Sequence, residues 1–247
     1  MPPSVSVGIH VPSSTLGALV SGEAYAEFFR QVEALDLDAV WTEDRIFHDA
    51  NMPDPLMLLA SAAACTRRIE LGTAVLVLTL RAAAVVARQA STLHHLSGGR
   101  LALGVSLGGR PEEYAGELAD GWIMSPFGTV RDFPRLWGTV QDAARAAGRN
   151  PDALVAGRLL YVAVDDDRGR AREALRVFLH GYYGTRFDVD QHAVFGPPRE
   201  VATRLIEHVD AGITKLMLGV PSLDLAHLHR LATEVAPALR ARSAVAR

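Results

Sequence analysis

Residues 68–116 constrain the fold more than any other stretch: RIELGTAVLVLTLRAAAVVARQASTLHHLSGGRLALGVSLGGRPEEYAG. An apolar β-type run, Ile69 to Leu80, leads into a helical segment, Ala82 to Leu96. Ser97 to Gly99 stops that helix, and a second β-type run, Arg100 to Val105, opens into a glycine-rich loop. A strand, a crossover helix and a second strand form one complete βαβ unit, which commits the chain to a parallel sheet. The loop lies where parallel α/β sheets and barrels keep their chemistry.

The same alternation runs through the rest of the chain. Strand-type runs lie at Val5 to Val11, Ala39 to Glu43, Gly121 to Met124, Leu159 to Val164 and Lys215 to Val220. Helical runs lie between them: Glu23 to Leu35, Pro55 to Cys65, Asp132 to Ala147, Asp167 to Leu179, Pro198 to Ala211 and Leu223 to Leu239. Apolar residues at three- and four-residue spacing, as in Tyr25, Phe28, Phe29, Val32 and Leu35, mark the first of these helices. Alternating β and α with no linker implies one domain, residues 1–247. The last strand can close onto the first, so a TIM-type (β/α) barrel is expected rather than an open sheet. Glu112 to Trp122 is too short to hold a full βα unit, so the barrel is expected to lack about one. Gly184 to Gly196 reads as a long loop whose Asp188 and Asp190 are solvated.

Composition narrows the function. A net charge of −3 gives no reason to expect nucleic acid or an anionic membrane as partner. Lys215, the one lysine, starts the last strand, at the barrel face that serves stability, which argues against Schiff-base chemistry. One cysteine, Cys65, excludes an intramolecular disulfide and a cysteine-rich metal site. No His/Asp/Glu group has convincing metal spacing, and no Ser/His/Asp order suggests a hydrolase. The N-terminus has no signal-peptide pattern, and Leu71 to Val86 is too short and polar to span a bilayer, so a cytoplasmic protein is expected.

The residues resemble the bacterial luciferase-like family of flavin- and F420-dependent oxidoreductases. The resemblance is carried by Val40-Trp41 with Glu43-Asp44, by DPLMLLASAAACTRRI, LGTAVLVL and ARQASTLHHLSGGR, and by LALGVSLGGRPEEY. Ala119 to Trp122, FGPPREVATRLIEHVDAGI and TEVAPALR extend it over most of the chain. It implies a barrel that binds reduced FMN or coenzyme F420 at the strand ends, acts on a small molecule, and often forms a homodimer. Two departures stand out. Only Ala115 to Ala119 separate Tyr114 from Asp120, where the family carries tens of residues that include the helix start cradling the cofactor phosphate. Arg45 stands where the family often has a histidine.

Barrel geometry and the resemblance nominate the site. His10 ends strand one; Glu43, Asp44 and Arg45 end strand two. Arg45 cannot act as acid or base near neutrality, but it can hold an anionic ring or a carboxylate. His48 is a candidate to take over proton transfer. By resemblance, Thr73, Ala74 and Val75 back the cofactor ring. Arg81 can reach a phosphate, and Trp122 lines the ring. Gly104, Ser106, Gly108 and Gly109 allow close backbone approach. Two other readings stay open: a ligand-binding relative without turnover, and a cofactor-free barrel enzyme that isomerises or cyclises its substrate.

Overall fold

In the computed structural model, the structure describes residues 5–13, 19–45, 51–106 and 111–245. Strand β1 (Ser6–His10) is followed by α1 (Gly22–Ala34), β2 (Ala39–Thr42), α2 (Pro55–Cys65), β3 (Glu70–Thr73), β4 (Leu76–Val77) and α3 (Ala83–Leu96). Next come β5 (Leu101–Ala102), β6 (Val105–Ser106), α4 (Pro111–Leu118), β7 (Gly121–Met124), α5 (Phe133–Ala146), β8 (Val155–Val164) and α6 (Arg168–Tyr183). The chain then forms α7 (Val189–His192), β9 (Ala193–Gly196), α8 (Pro198–Asp210), β10 (Lys215–Gly219) and α9 (Leu225–Arg230). A π-helical turn, Leu231–Val235, leads into α10 (Ala236–Val245).

Short polar side chains start the helices. Asp54 accepts from the Leu56 and Met57 amides (2.9 and 3.1 Å) ahead of Pro55, and Asp167 accepts from Gly169 and Arg170. Gly98 and Gly99, at φ 70° and 89°, end α3 in the left-handed region.

The strands are parallel and ordered β5-β3-β2-β1-β10-β8-β7, with β9 added along the far end of β8. β1 pairs with β10 and sets His10 beside both Gly219 and Trp41. The first and last strands therefore meet, as expected for a barrel. Both strands of the central βαβ unit are broken. β3 and β5 stay in the barrel sheet, while β4 and β6 form a separate two-stranded ribbon above it.

Among the described residues no strand of the barrel sheet lies between β5 and β7, which is where the short sequence between Tyr114 and Asp120 puts the missing unit. Helix α4 covers this place by packing on α5 and β7. Gly116 permits the contact, because a Cβ there would overlap the Val140 carbonyl; Arg149 fastens it by donating to the Gly116 carbonyl (2.7 Å).

Strand alternation sorts the core into two layers. Val7, Ile9, Val40, Leu160, Val162, Leu216 and Leu218 face the helices, whereas Trp41, Leu159, Tyr161 and Met217 belong to a second cluster that fills the barrel. Trp41 and Tyr161 fit because a Cβ on Gly8 or Gly72 would overlap the indole, and one on Gly219 the phenol. Below them Lys215 Nζ contacts both Glu70 oxygens (2.7 and 2.9 Å), so the lone lysine plugs the barrel floor. No helix among the described residues is long and apolar enough to cross a membrane.

Candidate active site

The interior is filled to the level of Trp41 and Tyr161, so the polar groups above them converge on the C-terminal mouth. His10, at the end of β1, is 2% exposed. Its Nε2 is buried with no hydrogen-bond partner and lies 4.0 Å from Glu43 Oε2. Burial lowers its pKa below the usual 6.5; Glu43 and a hydrogen bond to the Ala74 backbone oppose that only partly. The ring is thus neutral at physiological pH. With the Ala74 backbone engaging the ring, Nε2 is left as an acceptor.

Glu43 is buried beside it and accepts from Ser13 Oγ (3.3 Å) and from the Tyr182 hydroxyl. Tyr161 sets its ring edge-on to His10, centroids 6.3 Å apart, and its hydroxyl shares a 2.8 Å hydrogen bond with Tyr183. Burial, reinforced by Glu43, pushes all three tyrosines up, so they remain hydrogen-bond donors. The Arg45 guanidinium lies over Tyr182 at 4.3 Å and over Tyr183 at 5.3 Å.

Thr73 Oγ1 donates to the Gly104 carbonyl (2.7 Å), which also accepts from the Leu76 amide (2.8 Å). Between them the Ala74–Val75 peptide is cis. A side chain at Gly104 would overlap the Thr73 carbonyl, so this glycine serves the approach of two backbones. Val75 is half-buried and Ser106 exposed at the rim.

The expected site residues therefore divide. His10, Glu43 and Ala74 meet directly, and Arg45 joins them through Tyr182. Thr73 and Gly104 hold the adjoining wall. Arg81 is spent otherwise: its guanidinium pairs with Asp44 (2.9 and 3.0 Å) and Asp54 (2.8 Å), where a phosphate would have to compete with two carboxylates. Trp122 points away from the barrel interior, stacking on Phe133 in the helix-facing layer (6.1 Å); the inward residue of β7 is Ile123. His48, Gly108 and Gly109 lie outside the described residues. Tyr161, Tyr182 and Tyr183 are functional candidates that sequence reasoning missed. α6 runs one turn beyond the expected stop at Leu179, and only that turn brings the last two to the mouth.

A parallel α/β barrel with a buried carboxylate, imidazole and phenols at its strand ends gathers the groups that proton transfer uses. The sequence profile of the luciferase-like monooxygenase family matches residues 4–115, the stretch that supplies His10, Glu43 and the Thr73–Val75 wall. Over this stretch the chain is similar to the luciferase-like family, and F420-dependent proteins are among its relatives, of whose length it spans less than half. It is 34% identical over 140 residues to an F420-dependent glucose-6-phosphate dehydrogenase of Kineococcus radiotolerans, a match spanning 53% of this chain and 42% of that protein. Among solved structures, an F420-dependent secondary alcohol dehydrogenase bound to an F420-acetone adduct superposes with TM-score 0.84 at 15% identity, over 96% of this chain and 99% of that one. The oxygenating constituent of 3,6-diketocamphane monooxygenase from Pseudomonas putida, in complex with FMN, superposes with TM-score 0.77 at 15% identity, over 95% and 98%. At these identities the superpositions establish the barrel fold.

Proposed function

We propose that this chain is an oxidoreductase that binds reduced F420 or FMN across the strand ends and acts on a small organic substrate, with F420 preferred. The observation that carries this is the buried, unpartnered His10 Nε2 facing Glu43 beside the Ala74–Val75 wall. A buried acceptor without a partner is rare in a finished core and marks a place where a ligand completes the hydrogen bonding. The preference for F420 rests on the two relatives of that description.

The residues fit the ring end of such a cofactor. Thr73, Ala74, Val75 and Gly104 would form its backing, and Ser106 its rim. The fit stops at the phosphate end. Helix α4 begins where the glycine-rich loop ends, and its first turn carries Glu112 and Glu113, which already occupy the positive end of the helix dipole. The cofactor supplies hydride or, for FMN, oxygen chemistry. The chain's part is proton handling: His10 Nε2 takes or returns a proton at a substrate oxygen, and Glu43 steadies the imidazolium while it exists. Tyr183, whose hydroxyl accepts from Tyr161, orients the same oxygen by donating its own proton to it.

Titration of the purified protein with F420 and FMN, oxidised and reduced, followed by fluorescence, tests this reading. Micromolar binding of either supports it. Absence of binding in all four forms would sink it and leave the ligand-binding relative or the cofactor-free isomerase in its place.

A further inference from the structure

The mouth holds two guanidinium groups that form no ion pair among the described residues. Arg45 is half-buried on Tyr182 and Tyr183; Arg186 is exposed, with its guanidinium 6.0 Å from the centre of the Phe127 ring. Phe127 in turn packs edge-on against Tyr183 (5.1 Å), so Arg45 lies on this phenol directly and Arg186 adjoins it through Phe127. Both act electrostatically on the Tyr183 hydroxyl.

The described acids nearest in the chain are engaged elsewhere. Asp44 pairs with Arg81, and Glu43 accepts from Ser13 and Tyr182. Asp188 caps α7, and Asp190 pairs with Arg172. Neither Arg45 nor Arg186 forms an ion pair among the described residues, whereas their sequence neighbours Asp44 and Asp190 are paired to other arginines. Their aromatic mounts hold the planar forks in place while leaving the N–H edges free, the geometry that recognises a carboxylate or phosphate. Meanwhile the α4 N-terminus, with its two glutamates, repels an anion.

We propose that Arg45 and Arg186, mounted on Tyr182, Tyr183 and Phe127, form an oxyanion subsite that takes the carboxylate or phosphate of a small-molecule ligand. This rests on the oxidoreductase reading only for the ligand's role as substrate or cofactor; the subsite itself is tested without either.

The full-length chain is titrated calorimetrically with benzoate and with inorganic phosphate, and with benzamide as the neutral isostere. At least one anion binds, more tightly than benzamide, and R45Q and R186Q each weaken it about tenfold or more. R199Q, on the exposed start of α8, leaves it unchanged. Circular dichroism confirms that the variants fold; should a glutamine variant not fold, R45K and R186K take its place and retain part of the affinity while losing the fork geometry. No binding of either anion at millimolar concentration, or binding that persists in the R45Q/R186Q double variant, overturns the proposal. Two further titrations separate the sources. FMN binding more tightly than riboflavin, with the difference lost in the double variant, identifies a cofactor phosphate. Equal binding of FMN and riboflavin, beside arginine-dependent benzoate binding, identifies a substrate carboxylate. If FMN and F420 both fail to bind while benzoate still depends on the arginines, the cofactor reading falls and the subsite stands.

Discussion

His10 shows how one position turns burial into chemistry. Its imidazole is kept neutral by desolvation and its Nε2 is left without a partner, so replacing it by Ala removes a proton acceptor without opening an ion pair. The expected result of H10A is a turnover loss of about 10²- to 10⁴-fold with cofactor affinity changed only a few-fold; equal losses in both would make His10 a binding residue instead. Two other histidines are buried in the neutral form for structural reasons: His208 is lowered to about 3 and His227 to about 4, both mainly by burial. Their folded pKa values lie below the unfolded 6.5, so below pH 6.5 the unfolded chain takes up protons that the native one refuses. Stability is full above pH 6.5 and declines toward pH 4, by about 1.4 kcal/mol per pH unit for each such group. Urea unfolding at pH 7 and pH 5 should differ by roughly 4 kcal/mol from this pair. An H208Q/H227Q variant should flatten the dependence, and an unchanged slope would exclude these residues as its source.

The end of β2 and the start of α2 are joined by one cation, since Arg81 reaches both Asp44 and the helix cap Asp54. R81M strands the buried Asp44, so it should cost about 3 kcal/mol in chemical unfolding and leave any FMN-to-riboflavin difference intact. If that difference disappears instead, Arg81 holds the phosphate after all. The glycines of β1, β3 and β10 are equally specific in purpose. G72A drives a methyl into Trp41 and should cost about 1–3 kcal/mol, visible as a lower thermal midpoint; Gly22, with nothing near its Cβ position, is the control. These elements were readable in the sequence to different degrees. The βαβ unit, the capped helices and the Gly121 to Met124 strand follow from local patterns. The breaks after Thr73 and Ala102 do not, because they depend on how two strands approach each other at Gly104. Nor does the interior of Gly184 to Gly196, where α7 and β9 stand in place of a loop because β9 finds a partner in the far end of β8. Asp190 there stays exposed, as expected, and pairs with Arg172. Trp122 was assigned to the cavity from a motif, whereas strand parity assigns it to the helix layer.

A barrel one unit short has to be sealed by something other than a strand, and here α4 does it from outside while Ile123 leans toward Gly104 from within. On the opposite flank, α2 and α3 expose an apolar groove with Met57, Val85 and Leu96 each more than half accessible. A surface of this kind is suited to burial against another chain, and we propose that it is the face of a homodimer. Light scattering of the wild type should give twice the chain mass, and M57E/V85E the chain mass; a wild type that stays monomeric at high concentration would refute the dimer. From its sequence alone the chain is a parallel α/β barrel, short by one unit, whose strand ends carry His10, Glu43 and Arg45. That much is determined because hydrophobic periodicity and turn chemistry act over a few residues at a time. Which of these groups meet, and with what protonation, was decided only by the tertiary structure. Tyr161, Tyr182 and Tyr183 reach the mouth through helix length and packing, Arg81 is withdrawn by two acids, and Arg45 and Arg186 find no counter-ion among the described residues. Burial and long-range pairing set those outcomes, and neither is a property of a local stretch of chain.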